Sequence, residues 1–260
     1  MKYTCPGKNV CVGLITAVPS EGFYFAKRLR EVRTSPGFRP SFYRGKLEGK
    51  EVIYSVSGMG KTNAAHAATV LIRDYSPELL INFGAGGAYP SAGLAVGDVA
   101  VAEAEIYGDE GVLDSKGFHG ADYIGIPLLE RGRKKFYNEF ALEGSLAEAA
   151  VRSAGRAIEE MAGSPKVRSG RFVTVSTCTG TRKRAAEVRE LWDAICENME
   201  GAAIAHICAL YKIPFLELRG VSNIVEDRDT GKWNLKLASE NCCKAVVQLL
   251  KELADRSTGQ

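Results

Sequence analysis

The sequence predicts an α/β fold of three layers, α/β/α, around a central mixed, mostly parallel, twisted sheet. Three observations predict it. Short apolar runs alternate with segments of helical period along the chain. The strand-like runs are apolar throughout, as strands covered on both faces are. Glycine, at 28 of 260 residues, exceeds the ~7% usual in globular chains, and its clusters follow the strand-like runs. In α/β sheets ligands bind beyond the strand carboxyl ends, where glycine lets backbone come close to them.

The elements follow in order. Val10 to Ile15 reads as the first strand, and the polar turn Pro19-Ser20-Glu21 opens a helix. Phe42 to Leu47 and Glu51 to Val56 read as a hairpin closed by Glu48-Gly49-Lys50. The glycine loop Ser57-Gly58-Met59-Gly60-Lys61 feeds a small-residue helix over Thr62 to Arg73. Leu79 to Phe83 is a strand, followed by Gly84-Ala85-Gly86-Gly87, and Val99 to Ala102 is another. Ile106 to Gly144 is the least periodic region; its glycines suggest long loops over one end of the sheet, either a variable surface insertion or a substrate lid. Leu146 to Met161 is a helix stopped by Gly163-Ser164-Pro165. Strands at Phe172 to Ser176 and Pro214 to Leu218 alternate with helices at Arg182 to Trp192, Glu200 to Leu210 and Leu235 to Leu253, and the tail after Asp255 looks frayed. The functional loops are then residues 16–22, 57–62, 83–88, 176–181, 197–200 and 219–227.

Length and composition suit one domain over residues 1–260, with one large core. A net charge of +3 is too weak a bias to imply a nucleic-acid partner. No run approaches the ~18 apolar residues of a membrane span. The start Met1-Lys2-Tyr3-Thr4-Cys5-Pro6 lacks the layout of a signal peptide. Seven cysteines without a CxxC pair argue against a disulfide framework or a zinc site and for a reducing cytoplasm. With three histidines, a histidine-rich metal centre is also out, and no cofactor is expected.

Several motifs have two readings. Gly58-Met59-Gly60-Lys61-Thr62 resembles a phosphate loop, but the required spacing needs glycine at position 55, which is Ser55. Gly84-Ala85-Gly86-Gly87 follows a strand, yet Pro90 and Gly93 spoil the helix on which a dinucleotide would rest. Both glycine loops are tight turns or sites of backbone approach to a small ligand. Glu21 is a helix-start acid or a functional carboxylate. Glu200 heads the apolar segment Gly201 to Cys208, so it is a capping acid or a site acid. Arg219-Gly220-Val221-Ser222-Asn223 ends a strand. Asn223 either makes an Asx turn or pairs with an amide-like ring edge such as O6 and N7 of a 6-oxopurine. Arg219 bridges acids or binds an anion. His206 reads as a core histidine, and Cys196, Cys208, Cys242 and Cys243 as small buried hydrophobes. Cys178 lies in an exposed-looking, hydroxyl-rich turn. Trp192 and Trp233 are too isolated to form a stacking platform.

Four blocks together resemble the purine nucleoside phosphorylase and nucleosidase superfamily, and within it the futalosine hydrolases. They are Gly13-Leu14-Ile15-Thr16-Ala17 with Glu21; Ser57 to Ala65; Ile81 to Gly87 with Val96-Gly97-Asp98; and Asn198-Met199-Glu200-Gly201-Ala202-Ala203 with Arg219 to Asn223. The resemblance spans nearly the whole chain. It implies a nucleoside phosphorylase-like fold in which Glu21 activates the attacking water. Met199 packs under the ribose, Glu200 hydrogen-bonds to it, and the backbone of Ala85 and Gly86 approaches sugar or base. Asn223, beside Ser222, replaces the aspartate of adenine-specific relatives and so implies a 6-oxopurine. Those relatives carry a stacking aromatic where Thr177-Cys178-Thr179-Gly180 stands here. Val18-Pro19-Ser20 lacks the glycine-plus-arginine pattern that holds phosphate in phosphorylases. Glu105 to Gly111 and Tyr123 to Leu129 are similar to the futalosine hydrolase insert.

The implied reaction is hydrolysis of the N-glycosidic bond of futalosine, giving hypoxanthine and a dehypoxanthine product for menaquinone synthesis. Arg219 and basic residues near Phe42-Tyr43-Arg44 are candidates for the substrate's carboxylated tail. The resemblance also implies a homo-oligomer with a nucleoside as its small-molecule partner. The rival functions are a methylthioadenosine or adenosylhomocysteine nucleosidase, a purine nucleoside phosphorylase, and a non-catalytic nucleoside-binding protein.

Overall fold

The computed structural model describes residues 11–35, 41–159 and 165–258. The start of the chain, Cys5, Val10 and the helix stop at Gly163-Ser164 lie outside the described residues. In chain order the elements begin with β1 (Cys11–Thr16), α1 (Phe23–Ala26), β2 (Arg30–Ser35), β3 (Phe42–Leu47), β4 (Lys50–Val56), α2 (Lys61–Tyr75), β5 (Leu79–Ala88) and β6 (Val99–Tyr107). The middle of the chain forms β7 (Gly111–Asp114), β8 (Gly117–Gly120), β9 (Leu129–Arg131), β10 (Lys134–Phe136) and β11 (Glu139–Ala141). There follow α3 (Gly144–Glu159), β12 (Val167–Thr174), α4 (Arg182–Trp192), β13 (Ala194–Asn198), α5 (Gly201–Tyr211), β14 (Phe215–Ile224) and α6 (Leu235–Thr258).

The main sheet runs β11-β6-β12-β13-β5-β1-β4-β3-β2, and β14 pairs with both β5 and β6. Its long pairings are parallel: β14 with β5, β12 with β6, and β1 with β4. The antiparallel ones lie at the β2–β3–β4 edge, at β11, and where β13 meets β5 and β14 meets β6. Strands β5, β13, β12, β6 and β14 therefore close on one another, while β1 to β4 extend as an open wing.

Alternation along the central strands fills both faces. Val12 and Leu14 of β1, with Ile81 and Phe83 of β5, pack against α3 and α6 through Ala150, Val246 and Leu250. Ile15 of β1 and Leu80 of β5 face the other way, onto α2 and α5. There Ala64, Ala67 and Ala68 meet Ala202, Ala203 and Ala205, all buried. Helix separation depends on the side chains at the contact, so these alanines let the two helices lie close. This second layer carries the two loops that precede α2 and α5 to the same end of the sheet.

Several elements differ from the sequence expectation. The glycine run after Phe83 is the second half of β5: β14 pairs along all of it, and β13 joins only at Gly87 and Ala88. Residues 219–224 likewise belong to β14. The 106–144 region is not loop alone. It holds the hairpins β7–β8 and β9–β10, a 3-10 turn at Ala121–Ile124, and β11 on the sheet edge. Asn138 ties it down, donating to the carbonyls of Tyr107 (2.7 Å) and Glu110 (2.8 Å) and accepting from Ala121 N. The helix expected at Pro19 begins only at Phe23 and lasts four residues. Helix α6 continues to Thr258, past the point where fraying was expected. No helix of the described residues is long and apolar enough to cross a membrane.

One acid reports on the packing of α3 against α6. Glu252 accepts from Arg156 Nε (2.8 Å), Gln248 Nε2 (2.8 Å) and Ser153 Oγ (2.8 Å). The Arg156 contact, helped by the other two, holds its carboxyl down to about 2, against an ordinary 4.5. A depressed pKa means the stabilisation is complete above the unfolded value and is lost as pH falls through the folded one. We therefore expect a modest loss of stability between pH 4.5 and 2 that Glu252→Gln abolishes, read as the denaturant midpoint against pH. Arg156 is exposed and Glu252 half-buried at the surface, so the effect is small and fades with salt.

Candidate active site

Four strand ends bring all eight site residues expected from the sequence together: Glu21, Ala85, Gly86, Met199, Glu200, Arg219, Ser222 and Asn223. Glu21 lies on the turn after β1, which closes through Glu21 N to Val18 O at 3.2 Å. The residue is 7% exposed, and its carboxylate accepts from three backbone amides: Ala17 N (2.9 Å), Val18 N (3.1 Å) and Ala85 N (2.9 Å). Burial pushes its pKa up; Arg219 and the amides of Ala85 and Val18 act against this. The position of Gly84 explains how the acid fits. A Cβ there would stand 2.3 Å from Glu21 Oε1, so only glycine lets the carboxylate lie on the strand.

Glu200 comes from the junction of β13 and α5. Asn198 Oδ1 accepts from Glu200 N (2.9 Å) and Gly201 N (2.8 Å), and Thr174 Oγ1 accepts from Ala202 N (2.8 Å). The first turn of α5 is thus capped by neighbouring side chains, and the Glu200 carboxylate is free to turn into the cleft. It accepts from Gly60 N at 2.9 Å, which pins the loop after β4, and from Arg219 Nη2 at 3.1 Å. Met199 is half-buried beside it, with its sulfur 3.2 Å from Cys178 Sγ.

Arg219 joins the two acids from below. It is 1% exposed, 3.1 Å from Glu200 Oε2 and 3.9 Å from Glu21 Oε1. Its other groups reach Ala85 O (3.1 Å) and Glu217 Oε1 (2.8 Å). Of the two readings open for this residue, the geometry is that of a bridge between acids.

At the other end, Asn223 and Glu197 stand in register with the same residue, Gly87, from the strands on either side of β5. Ser222 Oγ lies 2.7 Å from Asn223 Oδ1 and 3.1 Å from Gly86 O, which orients the amide. Asn223 Nδ2 donates to Ile224 O at 3.2 Å, leaving its second hydrogen unspent. Glu197 was not singled out in the sequence. Its Oε1 accepts from Thr179 N (2.9 Å), and its Oε2 from Tyr89 Oη (2.8 Å) and Thr179 Oγ1 (2.5 Å). Each carboxylate oxygen takes about two donors, so Oε1 keeps one acceptor site. An acid directly after the apolar run Ala194-Ile195-Cys196 and just before Asn198-Met199-Glu200 was the signal that could have found it.

These groups line one cleft of about 230 Å³, with Ala85, Gly86, Met199, Ser222 and Trp233. Arg228, whose guanidinium lies 4.6 Å from the Trp233 ring centre, borders the Asn223 end. Through Ala17 and Val18 the cleft adjoins an apolar cavity of about 810 Å³ walled by Phe23, Leu29, Val32, Tyr43 and Tyr54. Tyr43 thus faces a cavity, whereas Arg44 is paired with Glu51 at 2.7 Å. His206 sits apart, stacked on Phe140 with ring centres 4.7 Å apart. Cys178 is exposed, and Cys196, Cys208, Cys242 and Cys243 are buried. Among the described residues no group of His, Cys, Asp and Glu side chains could hold a metal.

Comparison with known proteins gives this arrangement its relatives. The family described as the phosphorylase superfamily matches residues 12–251. Futalosine hydrolase of Thermus thermophilus is 32% identical over 210 residues, covering 81% of this chain and 85% of that protein. The 5'-methylthioadenosine/S-adenosylhomocysteine nucleosidase of a Marinomonas species is 28% identical over 243 residues, covering 92% and 98%. The nucleosidase of that type from Neisseria meningitidis, solved with methylthio-immucillin-A, superposes with a TM-score of 0.79 at 29% identity, covering 93% of this chain and 99% of the other.

Proposed function

This chain belongs to the phosphorylase superfamily, and from that premise we propose that it is a nucleosidase that hydrolyses the N-glycosidic bond of a 6-oxopurine nucleoside, futalosine, and releases hypoxanthine. The observation that carries the reading is the pair of side chains flanking Gly87. Asn223 has an N–H to give, and Glu197 Oε1 has an acceptor site to offer. Hypoxanthine presents O6, an acceptor, next to N1–H, a donor. Adenine reverses both: its N6 donates and its N1 accepts. An unpaired or mismatched polar group in such a site is costly, so the pair selects the oxo form.

Glu21 is the general base. Lining the cleft from the first loop, it would hold the attacking water against C1′ of a bound ribosyl group, on the face away from the purine. As the C1′–N9 bond lengthens, the ribosyl ring gains oxocarbenium character. The water oxygen bonds to C1′ and passes its proton to Glu21, and the purine leaves with the electron pair and takes a proton from solvent. Glu200 hydrogen-bonds the ribose hydroxyls and offsets the growing positive charge. Met199 supports the sugar from below, the backbone of Ala85 and Gly86 lies against it, and Ser222 holds Asn223. The raised pKa of Glu21 makes it a stronger base than an exposed carboxylate. The acid limb of the rate profile follows that group, so activity rises with pH through it.

Water is favoured over phosphate as the nucleophile on charge grounds. The amides of Ala17, Val18 and Ala85 are all spent on Glu21. A phosphate dianion in their place would meet a carboxylate and no spare donors. The test is product analysis on futalosine with and without inorganic phosphate. We expect hypoxanthine and a free reducing sugar, at a rate indifferent to phosphate; a sugar 1-phosphate would overturn the hydrolytic reading.

A second reading is supported by the curated relatives: hydrolysis of methylthioadenosine or adenosylhomocysteine. The large apolar cavity next to Val18 would accept a 5′ alkylthio group as well as an aromatic one. The two readings differ at the purine edge, where Asn223 and Glu197 favour the first.

A further inference from the structure

Behind the cleft lies a cluster that the reaction above leaves unexplained. Glu105 on β6 and Glu217 on β14 are both 0% exposed. They converge on the start of α5: a Cβ at Gly201 would stand 2.1 Å from Glu217 Oε2 and 2.3 Å from Glu105 Oε1. Glu217 Oε1 accepts from Arg219 Nε at 2.8 Å. Glu105 accepts from Thr174 Oγ1 (2.7 Å) and Asn198 Nδ2 (2.9 Å). Glu217 Oε2, by contrast, is buried with no hydrogen-bond partner. Asn82, opposite Glu217 in the parallel pairing, does not supply one; its own amide is unpaired. Two carboxylates so close in a buried space do not both ionise. A proton on Glu105 Oε1 removes the conflict, because it gives Glu217 Oε2 the donor it lacks.

We propose that Glu105 and Glu217 share one proton and act as a positioning pair for the nucleosidase reaction. Glu105 is the neutral donor and Glu217 the single anion that neutralises Arg219. With Glu217 offsetting Arg219 from behind, the guanidinium draws less on Glu21 and Glu200, so the cleft faces the ribosyl cation more negative. Without Glu217, the guanidinium would draw on both cleft acids and make Glu21 a weaker base. The inference rests on the reading of Glu21 as that base.

Burial, then the charge of Glu217, push the Glu105 carboxyl well above its usual range. Burial also raises Glu217, against the pull of Arg219. The other groups facing the pair fit this charge state. Tyr107 on β6 and Cys196 on β13 are both pushed up by burial and stay neutral. The remaining charges are those of Arg219, Glu200 and Glu21.

Two readouts test the pair, one of them free of any substrate. Infrared spectra of the wild type at neutral pH should show the C=O stretch of a protonated, buried carboxyl group that Glu105→Gln removes. Absence of that band, or its survival in Glu105→Gln, overturns the proposal. The second readout is the pH profile of kcat/KM on futalosine, or on methylthioadenosine should only that be cleaved. Glu105→Gln, which keeps a donor for Glu217, should rescue most of the turnover lost in Glu105→Leu. Glu105→Gln with Glu217→Gln removes the charge as well. It should move the acid limb down by about one pH unit and lower kcat about tenfold, with KM little changed. An unmoved acid limb in that double variant overturns the proposal, because a merely structural role lowers turnover without shifting the limb. If neither nucleoside is cleaved, the assigned function fails while the infrared result still decides the pair.

Discussion

Glu21→Gln is expected to lower kcat on futalosine by about 10³-fold while the fold persists. The size follows from what one well-placed general base contributes, about 10² to 10⁴-fold. The amide keeps the shape of the carboxylate but cannot take a proton from water. It also turns one acceptor into a donor against a cage of three amides, from Ala17, Val18 and Ala85, so the side chain is held less firmly. Arg219 keeps Glu200 and Glu217 as partners, so the packing under the cleft survives. Steady-state kinetics beside a thermal melt separate the two effects. Turnover within tenfold of wild type, at unchanged stability, would remove Glu21 from the chemistry.

Asn223→Asp is the second large effect, and it concerns which purine leaves. The substitution replaces the N–H donor with a carboxylate facing O6, beside a carboxylate already present in Glu197. One lost hydrogen bond plus an anion set against an acceptor costs about 10²-fold in kcat/KM for a hypoxanthine nucleoside. For an adenine nucleoside the same change supplies an acceptor for N6–H, so the ratio of the two specificities should swing toward adenine. Competition between futalosine and methylthioadenosine in one reaction measures that ratio directly. An unchanged ratio would place purine recognition elsewhere in the cleft.

The four sequence blocks and the three-layer α/β plan were legible because they rest on strong local signals. Val10 to Ile15 is apolar throughout, the hairpin of β3 and β4 has a turn at Glu48-Gly49, and the α2 helix sets alanine pairs at Ala64-Ala65 and Ala67-Ala68 three residues apart, a helical spacing. Glu21, Glu200 and Asn223 were singled out through motif context, since each alone is an unremarkable helix-start or turn residue, and the structure brings them to one cleft.

What escaped was decided by tertiary pairing. Gly84 to Gly87 has poor strand propensity, and only its pairing with β14, joined by β13 at Gly87, makes it a strand. Strand β13 is five residues long and carries Glu197 and Asn198, so its pattern is too short and too polar to stand out. In the 106–144 region the strands have three or four residues each, below the length at which periodicity can be read. The buried acids Glu105 and Glu217 were visible as charges inside apolar runs. Their meaning appears only when β6 and β14 bring them together over Gly201.

The most direct test of the whole reading is the wild-type kcat/KM for futalosine set against that for methylthioadenosine, under one set of conditions. The purine edge formed by Asn223 and Glu197 predicts a preference for futalosine of at least ~10²-fold. Equal or reversed preference would contradict it and leave the cleft to a 6-aminopurine nucleoside.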